Sequence, residues 1–168
     1  QAIDRLQAIG FRDPRGALAH LGALASGVSR RAAIQRALLP VMLRWFAEGA
    51  DPDYGLLMFR RLSESLGESH WYLRMLRDST AGAQRLTQVL TGSRFAAELL
   101  DLIPEAVAWL EDDEELHPRT LDQLAEETAA VLARHDDVES AASVARRLAT
   151  LINLQAPEDY TATSDAAT

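Results

Sequence analysis

The sequence predicts an all-α fold, a bundle of about eight or nine short to medium helices with short connections and no sheet. Three observations support this prediction. Alanine and leucine, both strong helix formers, dominate the apolar positions, whereas valine and isoleucine are sparse. Apolar residues recur at the three- and four-residue spacing of an amphipathic helix. N-capping residues, prolines and glycines divide the chain into segments of helical length.

The helix boundaries follow in order along the chain. Asp13-Pro14 combines an N-cap residue with a proline at the first helical position, and Asp51-Pro52 repeats this signal. Serines before the later segments, such as Ser29 and Ser69, are further N-cap candidates. The predicted helices are 14–25, 30–48 (with Pro40 expected to kink it), 52 to Gly67, 70–78, 80–91, 93–102 and 104–111. In the helix over 30–48, the apolar row is Ile34, Leu38, Val41, Met42 and Trp45.

An acidic run from Glu111 to Glu115 interrupts the helical pattern. We interpret it as a solvated loop or a charge patch for a basic partner. It divides a multi-helix bundle over 1–112 from a terminal helix pair over 113–155 packed on that bundle. The first helix of the pair opens at Pro118 and Thr120 and runs to about His135, with Leu121, Leu124, Thr128, Val131 and Leu132 on one face. The second helix spans about 138–154, and the composition of 156–168 is typical of disorder.

Composition excludes several classes of protein. There is no cysteine, so disulfides and thiolate zinc sites are excluded, and this fits a cytoplasmic location. The net charge of −8 argues against a nucleic-acid partner. No apolar run is long enough to span a membrane. Charge is uneven, because residues 1–99 contain 13 arginines and nine acidic residues, whereas residues 100–168 contain four and 16.

The sequence contains no pattern from which a catalytic, cofactor-binding or metal site can be assigned. The four histidines, at positions 20, 70, 117 and 135, have neither metal-ligand spacing nor a neighbouring HExxH carboxylate. No nucleophile elbow or phosphate-binding glycine loop is present. Gly92-Ser93 resembles the start of a nucleotidyltransferase motif, but the expected aspartate pair is missing and Asp101 stands alone. We therefore interpret Gly92 as a helix stop and Ser93 as an N-cap.

The most interaction-like residues are Arg60, Arg61, Trp71 and Tyr72. Arginine and large aromatic residues are enriched at binding hot spots, so these four are a candidate protein-interaction surface. The alternative is that an aromatic residue of the pair belongs to the core and that the arginines are solvated.

Five stretches, in this order and spacing, resemble one family, the bifunctional glutamine synthetase adenylyltransferase/adenylyl-removing enzymes. Together they cover roughly residues 8–147 and are similar to the helical region between the family's two nucleotidyltransferase domains. After Arg147 the sequence departs from the family pattern. The stretches are Ile9–Pro14 with Ala17 and Leu18, Ser26–Arg31 with Leu38–Pro40, Ala50–Asp53 with Leu62–Ser65, Trp71–Leu76 and Thr91–Leu100.

The resemblance implies a non-catalytic helical linker or regulatory segment of an enzyme that controls nitrogen assimilation. That enzyme transfers AMP from ATP to a tyrosine of glutamine synthetase and removes it by phosphorolysis. The resemblance implies ATP and magnesium for the whole enzyme and none for this segment. It implies the flanking nucleotidyltransferase domains, glutamine synthetase and the PII signal protein as partners. No catalytic residue is carried over, because the family's Gly-Ser and Asp-x-Asp motif is absent.

Two alternatives come from other classes. A stand-alone helical adaptor that binds a charged protein partner is the principal one, and a gene encoding only this length would support it. Since the chain starts at Gln1, we expect instead a segment of a longer protein. A self-contained helical hydrolase or metal enzyme is the second alternative, and no nucleophile–base or ligand pattern supports it.

Overall fold

The computed structural model describes residues 1–67, 69–112, 114–117 and 120–133. Over these residues every regular element is helical and there is no strand, which confirms the predicted all-α fold class. The chain divides into two compact units, Gln1–Asp113 and Glu114–Thr168. Among the described helices, none combines the length and the apolar character required to cross a membrane.

The first unit contains seven α-helices in its described residues, followed by a 3₁₀ helix. The helices are α1 (Ala2–Ala8), α2 (Pro14–Ala25), α3 (Arg30–Glu48), α4 (Pro52–Ser65), α5 (His70–Asp78), α6 (Thr80–Gly92), α7 (Arg94–Leu102) and the 3₁₀ helix Pro104–Glu111. The bounds of α2 to α7 confirm the predicted bounds to within two residues. The segment 104–111 was predicted only as a helix, and its 3₁₀ geometry is new. Helix α1 was not predicted, because the residue before it, Gln1, is not of an N-capping type; accordingly, it makes no side-chain capping bond.

Side-chain caps explain why the predicted helix starts are accurate. Each capping oxygen accepts a hydrogen bond from the backbone N–H three residues later, which satisfies one of the free donors of the first turn. The capping distances are 3.0 Å for Asp13, 3.2 Å for Ser29, 3.2 Å for Asp51, 3.1 Å for Ser79 and 3.2 Å for Ser93. Ser69 is the exception, since it precedes α5 but its side chain makes no capping bond.

Helix α6 lies at the centre of the first unit. It contacts α3, α4, α5, α7 and the 3₁₀ helix, while α4 also packs against α2 and α7. Leu86 and Leu90 of α6 are completely buried. Phe46 of α3 and Phe59 of α4 pack edge to face, with ring centroids 5.9 Å apart. Close packing in this core therefore fixes the positions of α3, α4 and α6 relative to one another.

The buried face of α3 differs from the predicted row. The buried residues are Ala32, Gln35, Leu39, Met42 and Phe46, so only Met42 is shared with the prediction. Val41 is 47% exposed. Two rows of three- and four-residue spacing lie side by side on α3, and Phe46 takes the core position against Phe59. Trp45 is consequently only partly buried.

In the second unit, the described elements are a short 3₁₀ helix, Glu114–Leu116, and α8, Leu121–Leu132. Thr120 and Gln123 form a capping box: the Thr120 hydroxyl accepts from the Gln123 N–H at 3.3 Å, and the Gln123 side chain accepts from the Thr120 N–H at 2.9 Å. The predicted start of this helix is confirmed. Of its predicted apolar face only the Leu121 side chain is described, and it is 84% exposed. The helix predicted over 138–154 and the tail over 156–168 lie outside the described residues.

Candidate functional site

The N-termini of three helices, α2, α4 and α7, meet around five polar residues. We call this group the polar junction; its members are Asp13, Asp51, Asp53, Tyr54 and Arg94. They line a cleft of about 260 Å³ together with Gly16, Ala17, His20 and Leu57. Its three carboxylates lie at the N-termini of α2 and α4, where they complement the positive ends of these two helix dipoles.

Asp53 joins α4 to the segment that leads into α2. Its two carboxylate oxygens accept hydrogen bonds from the backbone N–H groups of Arg12, at 2.8 Å, and Asp13, at 3.0 Å. These residues are about 40 positions away in the sequence. Because a carboxylate bound by backbone N–H groups forms charge-assisted hydrogen bonds, this contact fixes the entry to α2.

Asp51 joins the start of α4 to the start of α7. Its carboxylate accepts from the Tyr54 N–H at 3.2 Å and from the Arg94 guanidinium at 2.7 Å. The hydrogen bond from Arg94 lowers the pKa of Asp51 below its usual value, and the bond from the Tyr54 N–H acts in the same direction. The backbone N–H of Asp51 also donates to the Thr91 carbonyl, at 3.1 Å, and so ties this connection to the end of α6.

Tyr54 completes the polar junction. The Arg94 guanidinium lies over its ring, 4.6 Å from the centroid, and its hydroxyl donates to Glu98 at 3.4 Å. Burial, followed by the negative charge of Glu98, raises the pKa of Tyr54. Every polar side chain of the junction is thus bonded to another group of the protein. The arrangement holds helices together and leaves no activated nucleophile or base.

A second cleft, of about 320 Å³, lies where the C-terminal ends of α3 and α6 meet. We call it the Trp45 cleft; it is lined by Trp45, Glu48, Gly49, Ala50, Gln84, Gln88, Thr91 and Gly92. In the described part of the chain, the side chains of Trp45, Glu48, Gln84 and Gln88 make no hydrogen bond or ion pair. The two clefts therefore differ in how far their polar groups are already engaged.

The four residues predicted as an interaction surface are placed differently from one another. Arg60 bonds Glu64 at 2.8 Å, and its guanidinium donates to His20 Nδ1 at 3.2 Å. Arg61 pairs with Asp101 at 3.4 Å and stays more than half exposed. Trp71 is half-buried and packs edge to face on Tyr72, with centroids 6.0 Å apart.

Tyr72 faces the core. It is completely buried, and its hydroxyl lies 2.9 Å from the Ser63 hydroxyl. This placement follows the alternative in which an aromatic residue of the pair is a core residue. Of the four, Arg60, Arg61 and Trp71 reach the surface.

The described residues contain no group of three or more histidine, aspartate or glutamate side chains arranged to hold a metal ion. The predicted roles of Gly92 and Ser93 are confirmed, since Gly92 ends α6 and Ser93 caps α7. In the acidic run, Glu111, Asp112 and Glu114 are exposed. Sequence reasoning identified Asp13 and Asp51 only as helix caps and missed the long-range role of Asp53, for which no local signal exists.

The chain is similar to proteins named bifunctional glutamine synthetase adenylyltransferase/adenylyl-removing enzyme. The relative from Leifsonia xyli subsp. xyli is 70% identical over 146 residues, which are 87% of this chain and 14% of the relative. The relative from Streptomyces coelicolor is 54% identical over 86% of this chain and 15% of its own length. The relative from Cutibacterium acnes is 52% identical over 84% of this chain and 14% of its own length.

No protein-family model matches the chain, and no solved structure matches it. The chain spans about one seventh of the length of the relatives it matches, at 14% to 15%. The identity to these relatives confirms the resemblance inferred from the five stretches. The chain is therefore homologous to one segment of the bifunctional glutamine synthetase adenylyltransferase/adenylyl-removing enzymes.

Proposed function

We propose that this chain is a non-catalytic helical linker of an enzyme that adenylylates and deadenylylates glutamine synthetase. In this proposal it sets the distance and orientation of two nucleotidyltransferase domains that flank it. The bundle over 1–112 and the helix pair over 113–155 are the two parts of the linker. The names of the relatives support the enzyme, and the engaged polar groups of this segment support a structural role within it.

The polar junction is the observation that carries the proposal. Three of the five stretches that resemble the family supply it: Asp13 comes from the first, Asp51 and Asp53 from the third, and Arg94 from the last. Their charged groups bond backbone N–H groups and one another. A segment whose charged side chains fix the angles between helices suits a rigid spacer, since such bonds restrain the helix ends.

ATP and magnesium act in this proposal at the flanking domains, and glutamine synthetase and the PII signal protein are partners of the whole enzyme in the cytoplasm. The segment contributes geometry and no chemistry. Its surface residues Arg60, Arg61 and Trp71 are the proposed contacts to a protein partner. The proposals about ATP and magnesium and about the protein partners concern the whole enzyme, whereas this chain matches only 14% of the length of a relative.

The first experiment incubates the isolated chain with ATP labelled in the α-phosphate, magnesium and glutamine synthetase. We expect a folded, helical chain that transfers no label, with a full-length relative as the positive control. AMP transfer by the isolated chain contradicts the proposal.

A second experiment replaces the equivalents of Asp51 and Asp53 by alanine in a full-length relative. We expect a several-fold loss of AMP transfer while ATP still binds, because the catalytic domains are intact but their spacing is not. Unchanged transfer contradicts a spacer role. The equivalent of Asp78 is the matched control, because this exposed aspartate pairs with no residue other than its neighbour Arg77 in the described part of the chain.

The stand-alone adaptor is the second candidate, and the uneven charge along the chain favours it. A reading frame that encodes only this length supports the adaptor, whereas a frame of the relatives' length supports the linker. Binding of the chain to glutamine synthetase or to the PII protein in a pull-down identifies which partner it meets.

A further inference from the structure

We infer that the Trp45 cleft is a binding site for a guanidinium group. This inference goes beyond the proposed function, because a linker needs no ligand. Within the described part of the chain, the polar side chains that line this cleft converge without bonding one another. Glu48 offers two acceptor oxygens, and Gln84 and Gln88 each offer a carbonyl oxygen.

The ends of two helices give the cleft a negative field. Glu48 is the last residue of α3 and Gly92 is the last residue of α6, and both line the cleft. Helix C-termini carry partial negative charge and are usually complemented by basic side chains. Neither helix has a basic residue in its last turn, and no basic residue lines the cleft. The positive charge that this site favours is therefore not supplied by its own walls.

The identity of the lining residues selects a guanidinium among cations. A metal ion of the calcium or magnesium class takes several oxygen ligands and commonly more than one carboxylate, whereas Glu48 is the only carboxylate in the lining. A guanidinium is flat, binds one carboxylate through two parallel hydrogen bonds and stacks on aromatic rings. Glu48 and the partly exposed Trp45 provide these two partners in one cleft.

One lining residue of the cleft, Gly92, can carry a side chain without a clash at its Cβ atom. A Cβ atom added at Gly92 meets no heavy atom within 4 Å. Because Gly92 lines the cleft, a larger side chain can be introduced at this lining position without a clash at its base. Gly49, in contrast, cannot carry a side chain, because an added Cβ would come within 2.2 Å of the Thr91 side chain.

The test follows the indole N–H resonance of Trp45 by NMR in the whole chain, with Trp45→Phe to assign it. The probes are N-acetyl-arginine methylamide, which mimics an arginine within a polypeptide, free L-arginine, and the citrulline analogue of the methylamide, which is isosteric and uncharged. We expect both arginine probes to give a saturable shift, with a Kd on the order of millimolar, and the citrulline probe to bind at least about tenfold more weakly. The arginine probe that binds more tightly identifies the source of the ligand as a polypeptide or a free amino acid.

Two variants locate the site. Glu48→Gln should weaken binding about tenfold or more, and Gly92→Leu should abolish it without lowering the melting temperature. Glu64→Gln, which removes a carboxylate outside the cleft, should bind as the unmodified chain does. Equal binding of the citrulline probe, full binding by Glu48→Gln or Gly92→Leu, or no saturable shift at about 20 mM probe overturns the inference. None of these results bears on the spacer experiment, which is measured by AMP transfer.

Discussion

Thr91 connects the polar junction and the Trp45 cleft, because it lines the cleft and its carbonyl accepts a hydrogen bond from the Asp51 N–H. The two regions differ in whether the chain itself supplies the charges that complement their helix ends. At the junction, aspartates lie at the N-termini of α2 and α4 and bond backbone N–H groups or Arg94. At the cleft, two helix C-termini meet without a basic residue, and Glu48 has no partner in the described part of the chain. The first region complements its helix dipoles from within the chain, and the second does not.

This difference distinguishes carboxylates that stabilise the fold from a carboxylate that can bind a ligand. A carboxylate that is bonded to the backbone contributes to stability, and its removal loses those hydrogen bonds. A carboxylate that has no partner contributes little to stability and remains available to a ligand. Four predictions test the contrast, and they are arranged from the largest expected effect to the smallest.

The close packing at Thr91, between the two regions, is expected to be the most sensitive. A Cβ atom at Gly55 would lie 2.4 Å from Thr91 Cγ2 and 3.2 Å from the Phe46 ring. We expect Gly55→Ala to lower the free energy of unfolding by about 1–3 kcal/mol, measured by urea denaturation. Adding Thr91→Ser, which removes the Cγ2 methyl group, should restore part of that loss.

Gly22 is the matched control for this prediction, because it also lies within a helix but an added Cβ meets nothing within 4 Å. Gly22→Ala should raise the free energy of unfolding by roughly 0.5–1 kcal/mol. If Gly55→Ala is as stable as Gly22→Ala, the side chain of Thr91 does not pack against Gly55 as closely as the structure indicates.

Asp53→Ala should produce the next largest loss, about 0.5–1.5 kcal/mol, because two hydrogen bonds from the exposed N–H groups of Arg12 and Asp13 are exchanged for bonds to water. Asp53→Asn keeps one acceptor oxygen and should lose less. Urea denaturation of both variants measures the difference. An Asp53→Ala variant with unchanged stability contradicts the structural role of the polar junction.

The sequence predicts the local part of this architecture and misses the tertiary part. The starts of α2 and α4 are accurate because Asp13 and Asp51 cap their own helices through backbone N–H groups three residues away. Asp53 bonds residues 40 or 41 positions away, so nothing in its neighbourhood reveals the contact. Trp45 was assigned to the apolar row of α3, and the packing of Phe46 against Phe59 turned it toward the cleft instead.

Asp51 makes the stability of the junction depend on pH. The hydrogen bond from Arg94 holds the pKa of Asp51 below its usual value of 3.8 in the folded chain. The carboxylate therefore stabilises the fold above about pH 4, and this contribution is lost as the pH falls through the lowered pKa. We expect Asp51→Asn to be less stable than the unmodified chain at pH 6, by less than about 1 kcal/mol because the pair is largely exposed. The difference should shrink below pH 3.

Arg94→Leu is the control for this pH dependence, because it removes the partner and should flatten the profile in the same range. The measurement is the free energy of unfolding from urea titrations at several pH values. A stability difference that stays constant from pH 6 to below pH 3 contradicts the assigned role of the Asp51–Arg94 pair.

The smallest expected effect on stability is that of Glu48→Gln, and its sign is the sharpest test of the comparison. The same carboxylate-to-amide change that destabilises the chain at Asp53 should leave it within about 0.5 kcal/mol at Glu48. The change should even be slightly stabilising, because it removes a negative charge from the C-terminal turn of α3. In urea denaturation with N-acetyl-arginine methylamide, the unmodified chain should gain stability and Glu48→Gln should gain less. A loss at Glu48 as large as that at Asp53 would mean that this carboxylate, too, belongs to the architecture.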